Sequence, residues 1–455
     1  MQLTKQNNAL RFPAGFLWGT ATAAHQVEGN NTNNNWWAWE QTPGHIGDGT
    51  TSGRACDWWN HAEEDLDRAA TLGQNAHRLS VEWSRIEPRQ GVWDAEALAR
   101  YRQIIGYMRQ RGMEPMVTLH HFTNPLWLEE RGAWESEETI ELFDRFVGKV
   151  IEALGDLVDL WCTINEPNVY AYMGWADGTS PPGKRDTFTA FKVMRHLVHA
   201  HVAAYRTIHR IQPHARAGIA HHVRPFDPLR RRSALDRLVA SLQSRVFNDA
   251  VFEGMYSGRL IWPLGPALSG TKGRGHVPEA GDEHEFMDFV GLNYYTHEVV
   301  TFDLGHAGEF FGRRLVRDGI ELNLFGEEIY PQGIYHCLKK LAHYGKPIHI
   351  TENGTSDHGD DRRRRYLLQH LVQVQRAIAE GVPVRGFFYW TLVDNFEWGK
   401  GWATPFGLIH MDLETGERTP RPSAELYAEI ARANSITREM VGKYAPTLTE
   451  ELFDR

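Results

Sequence analysis

The sequence predicts an α/β protein: one (β/α)8 TIM barrel spanning residues 1–455, with elaborated βα loops. Three observations carry this. Eight short runs of strand-forming character recur along the chain, and segments of helical periodicity lie between most of them, the pattern of a parallel sheet with crossover helices. No linker of low complexity breaks the alternation. Finally, nearly every run ends in hydrogen-bonding, aromatic or ionisable residues, as a barrel requires if its site lies at the C-terminal ends of its strands.

The elements follow in order. FLWGTATAA (16–24) leads to His25–Gln26, and DWWNHAEEDLDRAATLG (57–73) reads as a helix stopped by Gly73. AHRLSVEW (76–83) carries Arg78 and ends at Glu82–Trp83. The helix at 94–112 opens on Asp94 as N-cap and closes at Gly112. PMVTLHH (115–121) ends in His120–His121, and LWCTINE (160–166) in Asn165–Glu166, with helices at 135–155 and 186–211. ARAGIAHH (215–222) ends in His221–His222, before a helix at 234–256. This fifth unit is weak: 257–287 is irregular and rich in Gly and Pro, and SGTKGRGH (269–276) reads as a surface loop, not a phosphate cradle. DFVGLNYY (288–295) ends in Asn293–Tyr294–Tyr295, with a helix at 331–345. IHITEN (348–353) ends in Glu352–Asn353, and its helix (361–381) opens on RRRR (362–365), read like RRR (230–232) as a solvated face. VRGFFYWTL (384–392) leads through Trp390 to Glu397–Trp398. A doubly wound open sheet is disfavoured, because the first strand is followed by GTATAA (19–24) and not G-x-G-x-x-G.

Composition narrows the function classes. The net charge of −9 disfavours nucleic acid or an anionic membrane as partner. No run approaches the ~18 apolar residues of a spanning helix. The N-terminal stretch lacks a signal peptide's apolar region, and Cys56, Cys162 and Cys337 are sparse and unpaired in spacing, so a cytoplasmic location is expected. Oligomeric state is left open. Sixteen tryptophans are an unusual number; core filling accounts for most of them, but several sit beside Asn, Glu and His. Flat apolar rings next to hydrogen-bonding groups suit a sugar, which has apolar C–H faces and a rim of hydroxyls.

Two apolar runs that end on a carboxylate, Glu166 and Glu352, suggest a pair held on a rigid frame. Glycosidic cleavage requires a proton for the leaving oxygen and electron density for the anomeric carbon, and two carboxyls supply both. One must be protonated at working pH through burial or a like charge; the other must stay ionised, for which Arg78 is a candidate partner. Asn165 is placed to donate to a sugar hydroxyl.

The motifs FPAGFLWGTATAAHQVEG (12–29), RLSVEWSRIEP (78–88), TINEP (163–167), GLNYYT (291–296), ITENG (350–354) and DNFEWGKGW (394–402), in that order, resemble glycoside hydrolase family 1, the retaining β-glucosidase and β-glycosidase type. The resemblance implies an exo-acting β-glycosidase working by double displacement. Glu166 would be its acid/base and Glu352 its nucleophile. Gln26, His121, Asn165 and Glu397 would hold hydroxyls of the non-reducing-end sugar. Trp390 would be the stacking platform, with Trp398 against the same ring. Asn293 and Tyr295 would lie near the nucleophile and the 2-hydroxyl, and Arg78 would keep the nucleophile ionised. It implies no metal and no organic cofactor.

The chain departs from the family pattern at HHFTNP (120–125), at Pro405 where a basic residue often precedes F-G-L, and at Asn168 where an aromatic side chain often shapes the aglycone side. Trp398 favours a neutral sugar over a 6-phosphorylated one. Two other classes compete. The His120–His121 and His221–His222 pairs prompt a metal-dependent barrel hydrolase, which lacks a His-x-His near the first strand. A sugar-binding pseudoenzyme would have lost one of the glutamates.

Overall fold

The computed structural model describes residues 9–260 and 285–453. Eight parallel strands close into a barrel in sequence order: β1 (Leu17–Ala21), β2 (Ala76–Ser80), β3 (Glu114–His120), β4 (Leu160–Asn165), β5 (Arg216–His222), β6 (Phe289–Asn293), β7 (Ile348–Asn353) and β8 (Val384–Trp390), with β8 pairing back onto β1. Around them run α1 (Trp58–Thr71), α2 (Ala95–Gln110), α3 (Glu138–Leu154), α4 (Thr187–Ile211), α5 (Ala234–Ser244), α6 (Pro331–Leu341), α7 (Asp361–Ala379) and α8 (Pro422–Ala433). All eight predicted strands are present.

The helix ends obey their sequence signals. Asp94 accepts hydrogen bonds from the backbone N–H groups of Glu96 and Ala97, 2.9 Å each, and so caps α2. Gly73 and Gly112 follow α1 and α2 at φ +76° and +71°, the left-handed turn that a Cβ disfavours.

Inside the barrel, Ala76, Met116, Leu160, Phe289 and Phe388 form an apolar plug near the strand starts. It makes this a packed barrel, not a pore, although buried His349 packs edge-on against Phe289 within it. A larger apolar cluster fills the space between strands and helices and includes the buried Trp83, Trp134, Trp161 and Trp175.

Four features differ from the sequence reading. First, the run at 16–24 leaves the sheet at Ala21, and His25 and Gln26 sit on a helical turn, Ala24–Val27. The run at 76–83 likewise stops at Ser80, which puts Glu82 at the cap of the turn Trp83–Ile86. Second, the helix read at 234–256 is present but not regular throughout: α5 continues through a π-type turn at Arg245–Ala250 into Val251–Ser257. Third, the loops after β5 and β6 build an unpredicted three-stranded sheet from Phe226–Pro228, Glu298–Phe302 and Gly312–Leu315. Fourth, RRRR is not all solvated: Arg363 is fully buried and bonds the Asp360 carboxylate and the carbonyls of Asp357 and Pro405. One helix face turns inward every third or fourth residue, and Arg363 shares that face with buried Tyr366 and Leu367. The segment 269–276 lies outside the described residues.

Candidate active site

Both carboxylate strands slip register just before their glutamate. From Cys162 to Asn165 β4 advances three residues while β5 advances two, Gly218 to Ala220. From Ile350 to Glu352 β7 advances two while β6 advances one, Leu292 to Asn293. One extra residue in each strand breaks the alternation and re-aims the side chains at the strand end. Glu166 itself is left-handed at φ 43°, a conformation uncommon for a residue with a Cβ. It is held there by its N–H donating to Ala220 O at 2.7 Å, and by Pro167, whose fixed φ suits the first position of the short helix Pro167–Ala171.

Glu166 and Glu352 open onto one cavity of about 690 Å³, together with His121, Asn165, Tyr295, Trp390, Glu397 and Trp398. The volume falls in the usual range for a small-molecule pocket. Arg78, Asn293 and Gln26, which the sequence reading grouped with these, do not line it. All three are fully buried, and Gln26 is within bonding reach of Glu397, which does line the cavity.

Arg78 crosses the barrel interior. It donates Nε–H to Thr118 Oγ1 (3.0 Å), Nη2–H to Asn165 Oδ1 (2.6 Å) and Nη1–H to Glu352 Oε1 (2.6 Å). Tyr295 donates its hydroxyl to the other oxygen, Glu352 Oε2, at 2.7 Å. Asn293 spends both amide hydrogens within the protein, on Asn165 Oδ1 (3.2 Å) and Glu166 Oε1 (3.0 Å), and accepts from Thr351. Both amide hydrogens are therefore taken up by protein groups, one of them the Glu166 carboxyl. A short chain of bonds thus runs from one glutamate to the other through Arg78, Asn165 and Asn293.

Burial pushes Glu166 and Glu352 each up to about 7. For Glu352, Arg78 opposes burial and the Glu166 charge reinforces it. Two adjacent buried carboxyls resist double ionisation, so near neutrality one holds a proton. Of the two, the Glu352 carboxyl has the guanidinium and the phenol, and charge-assisted bonds favour its ionised form. Burial also lifts Glu397 to about 8, against the Trp390 Nε1–H that donates to its Oε1 at 3.0 Å.

Two buried polar atoms of the predicted site residues lack a partner among the described residues, as does Trp39 Nε1 on the cavity wall. Asn165 donates to His121 Nε2 at 3.1 Å, which leaves the ring proton on His121 Nδ1, and that atom is unpartnered. Burial and Arg78 hold this imidazole neutral. Gln26 Oε1 is the second, its amide N–H being given to Phe396 O. Buried polar groups are seldom left unpaired, so these atoms have bonding capacity to spare.

The fold separates the residues of each histidine pair. His120 turns to Asn124 while His121 faces the cavity, and His221 bonds Asn248 O while His222 faces Glu166. Alternation along a strand sends neighbours to opposite sides, so neither pair converges on one ion.

The family model described as glycosyl hydrolase family 1 matches residues 8–436. The chain belongs to this family. Similar proteins include Beta-glucosidase A of Thermotoga maritima, 33% identical with 94% of this chain and 99% of the relative covered. A Beta-galactosidase of Sulfolobus acidocaldarius is 31% identical, over 95% and 97%. Among solved structures, a beta-glycosidase from Pyrococcus horikoshii superposes with a TM-score of 0.86 at 38% identity, covering 96% of this chain and 98% of that one. The Thermotoga maritima enzyme in complex with glucoimidazole superposes at 0.85 with 33% identity, covering 94% and 100%. As a family member with these relatives, the chain is a glycoside hydrolase of the β-glycosidase type.

Its departures from the family pattern acquire physical content. Asn168 does not shape the cavity: it is buried and donates to His222 O (2.8 Å) and Phe247 O (3.0 Å). Val169 and Met173 line that wall instead. Phe122, the third residue of HHFTNP, lines the cavity at φ 71°. Pro405 offers its carbonyl to Arg363, and the residue after it, Phe406, faces the cavity. The structure adds Arg224, Phe325 and Glu327 to the lining, none of which sequence motifs had singled out.

Proposed function

We propose that this protein is an exo-acting retaining β-glycosidase that removes terminal non-reducing β-D-glucosyl residues, and β-galactosyl or β-fucosyl residues as well, from small-molecule glycosides. The observation that carries the reading is the unequal setting of the two carboxyls. Glu352 has both oxygens bonded, by Arg78 and Tyr295, whereas Glu166 lies in a buried position without a charged hydrogen-bond donor on its oxygens. The ionised partner suits attack and the protonated partner suits donation.

In the first step a Glu352 oxygen bonds to the anomeric carbon as the bond to the aglycone oxygen breaks, and Glu166 gives that oxygen its proton. In the second step Glu166, now a carboxylate, takes a proton from water. The water oxygen bonds to the anomeric carbon and the ester to Glu352 breaks. Two inversions give net retention, and the carboxyl groups should lie about 5–5.5 Å apart. The unpartnered His121 Nδ1–H and Gln26 Oε1, with Glu397, Asn165, Trp390 and Trp398, would receive the sugar. The names of the relatives, glucosidases and galactosidases both, support this substrate class. Three buried, unpaired cysteines suit a reducing compartment, and a cytoplasmic site of action belongs to this reading.

The test is Glu352→Gly assayed with an aryl β-glucoside. Turnover should collapse and return with added azide, yielding the α-glucosyl azide. A variant as active as the parent, or a first-formed sugar product of α configuration from the parent, would refute the mechanism.

A further inference from the structure

His222, at the end of β5, is 6% exposed and touches the Glu166 carboxyl. Its Nε2 lies 3.2 Å from Arg224 Nε, which carries a hydrogen and can only donate. Nε2 therefore accepts, the ring proton sits on Nδ1, and Nδ1–H donates to Glu166 Oε1 at 3.0 Å. Arg224 is itself anchored by an ion pair to Glu298 on the three-stranded sheet, and its guanidinium lies over the Phe247 ring at 4.9 Å. Asn168 fixes the His222 carbonyl at 2.8 Å, and the Glu166 N–H is tied to Ala220 O, so backbone as well as side chains are clamped together.

The consequence concerns which oxygen holds the proton. Glu166 Oε1 already accepts two N–H groups, from His222 and from Asn293 at 3.0 Å. An oxygen receiving two donors has no room to be an O–H itself. We propose that His222 is a positioning residue for Glu166: locked by Arg224 as the Nδ1–H tautomer, it occupies Oε1 together with Asn293 and confines the transferable proton to Oε2. This rests on the acid/base reading of Glu166. Burial and Arg224 keep the imidazole neutral, so it serves as a directional donor without adding a charge that would ionise Glu166. The other charged or titratable groups around this pair are Arg78, Tyr295 and Glu352 on the barrel side, and Glu298 and Glu327 towards His222.

The experiment uses the full chain and two variants: His222→Leu, which has no donor, and His222→Asn, whose amide N–H replaces Nδ1–H. kcat/KM is measured from pH 5 to 9 on phenyl β-glucoside, whose poor leaving group requires a proton, and on 2,4-dinitrophenyl β-glucoside, whose leaving group does not. His222→Leu should lose about tenfold or more on the phenyl substrate, the order expected for a bond to an ionisable group, and less than about twofold on the dinitrophenyl one. Its alkaline limb should move up by roughly 0.5–1 unit, because the carboxylate loses a donor. His222→Asn should restore most of both. Equal losses on the two substrates, or an unmoved limb, would overturn the proposal and leave His222 as packing. Glu166→Ala is the control. If it shows the leaving-group dependence and His222→Leu does not, the positioning role fails alone; if Glu166→Ala shows none, the acid/base reading fails with it.

Discussion

Arg78 bonds side chains from three strands, Thr118, Asn165 and Glu352, and the Thr351 carbonyl besides, and no single-point cation could satisfy them together. Replacing it should reveal what holds Glu352 ionised. Removing the guanidinium disfavours the carboxylate, so the pKa of Glu352 rises and the acidic limb of kcat/KM moves to higher pH. Arg78→Met should therefore lose more activity at pH 6 than at pH 8, and Arg78→Lys should show the same displacement in reduced form. A pH–rate profile with an unmoved acidic limb would contradict this assignment. Tyr295→Phe removes a neutral donor from the other oxygen, and should cost about 1.5–3 kcal/mol in kcat/KM with the limb displaced in the same direction.

At the scale of the element, α7 shows how a charged run can be two different things. Arg362 and Arg365 pair with Glu321 near the surface, whereas Arg363 is buried against Asp360, which in turn accepts from the N–H and hydroxyl of Ser423 at the start of α8. Arg363→Met should cost about 3–5 kcal/mol in chemical denaturation, since it strands a buried carboxylate. Arg362→Met should stay within about 0.5 kcal/mol. The helical period of α7 was legible in the residues, yet nothing in RRRR itself says which arginine faces inward. That is decided by the partner, Asp360, and by the neighbouring helix. The same limit explains the rest. Glu166, Glu352 and their motif companions could be read, because each ends an apolar run of strand-like residues. The slipped register of β4 and β7 could not, because a bulge is a fact about two strands, and only one is seen in a local stretch. His222 was visible at the end of β5 as one of a pair, but its tautomer depends on Arg224, and that side chain's aim depends on Glu298, 74 residues onward. In the small sheet that carries Glu298, the two strands flanking its own are three and four residues long, too short to stand out from the loops around them.

Over the whole molecule, the N-terminal end of the described chain is joined to a segment late in the sequence. Ala9–Arg11 pairs antiparallel with Ser435–Thr437 beside the start of β1, away from the cavity. Asn434, at φ 47°, accepts from Trp18 Nε1 at 2.9 Å and donates to the carbonyls of Phe12 and Pro13 at 3.0 and 2.9 Å. Asn434→Ala should lower stability by about 2–4 kcal/mol through lost bonds and a disfavoured backbone angle, while Asn434→Gly, which keeps the angle, should lose less. Both should retain the parental kcat at 25 °C in the folded enzyme, because the seam and the carboxyls sit at opposite ends of the strands.

Cys56, Cys162 and Cys337 are all enclosed by the fold, and burial pushes the Cys337 thiol up to about 12. None is presented to solvent as a thiolate, the form that reacts. The folded enzyme is therefore close to a blank background for thiol chemistry: a cysteine introduced at exposed Lys400, on the rim of the cavity, would be the preferred attachment point for a dye or a surface linker, with no native thiol to remove first.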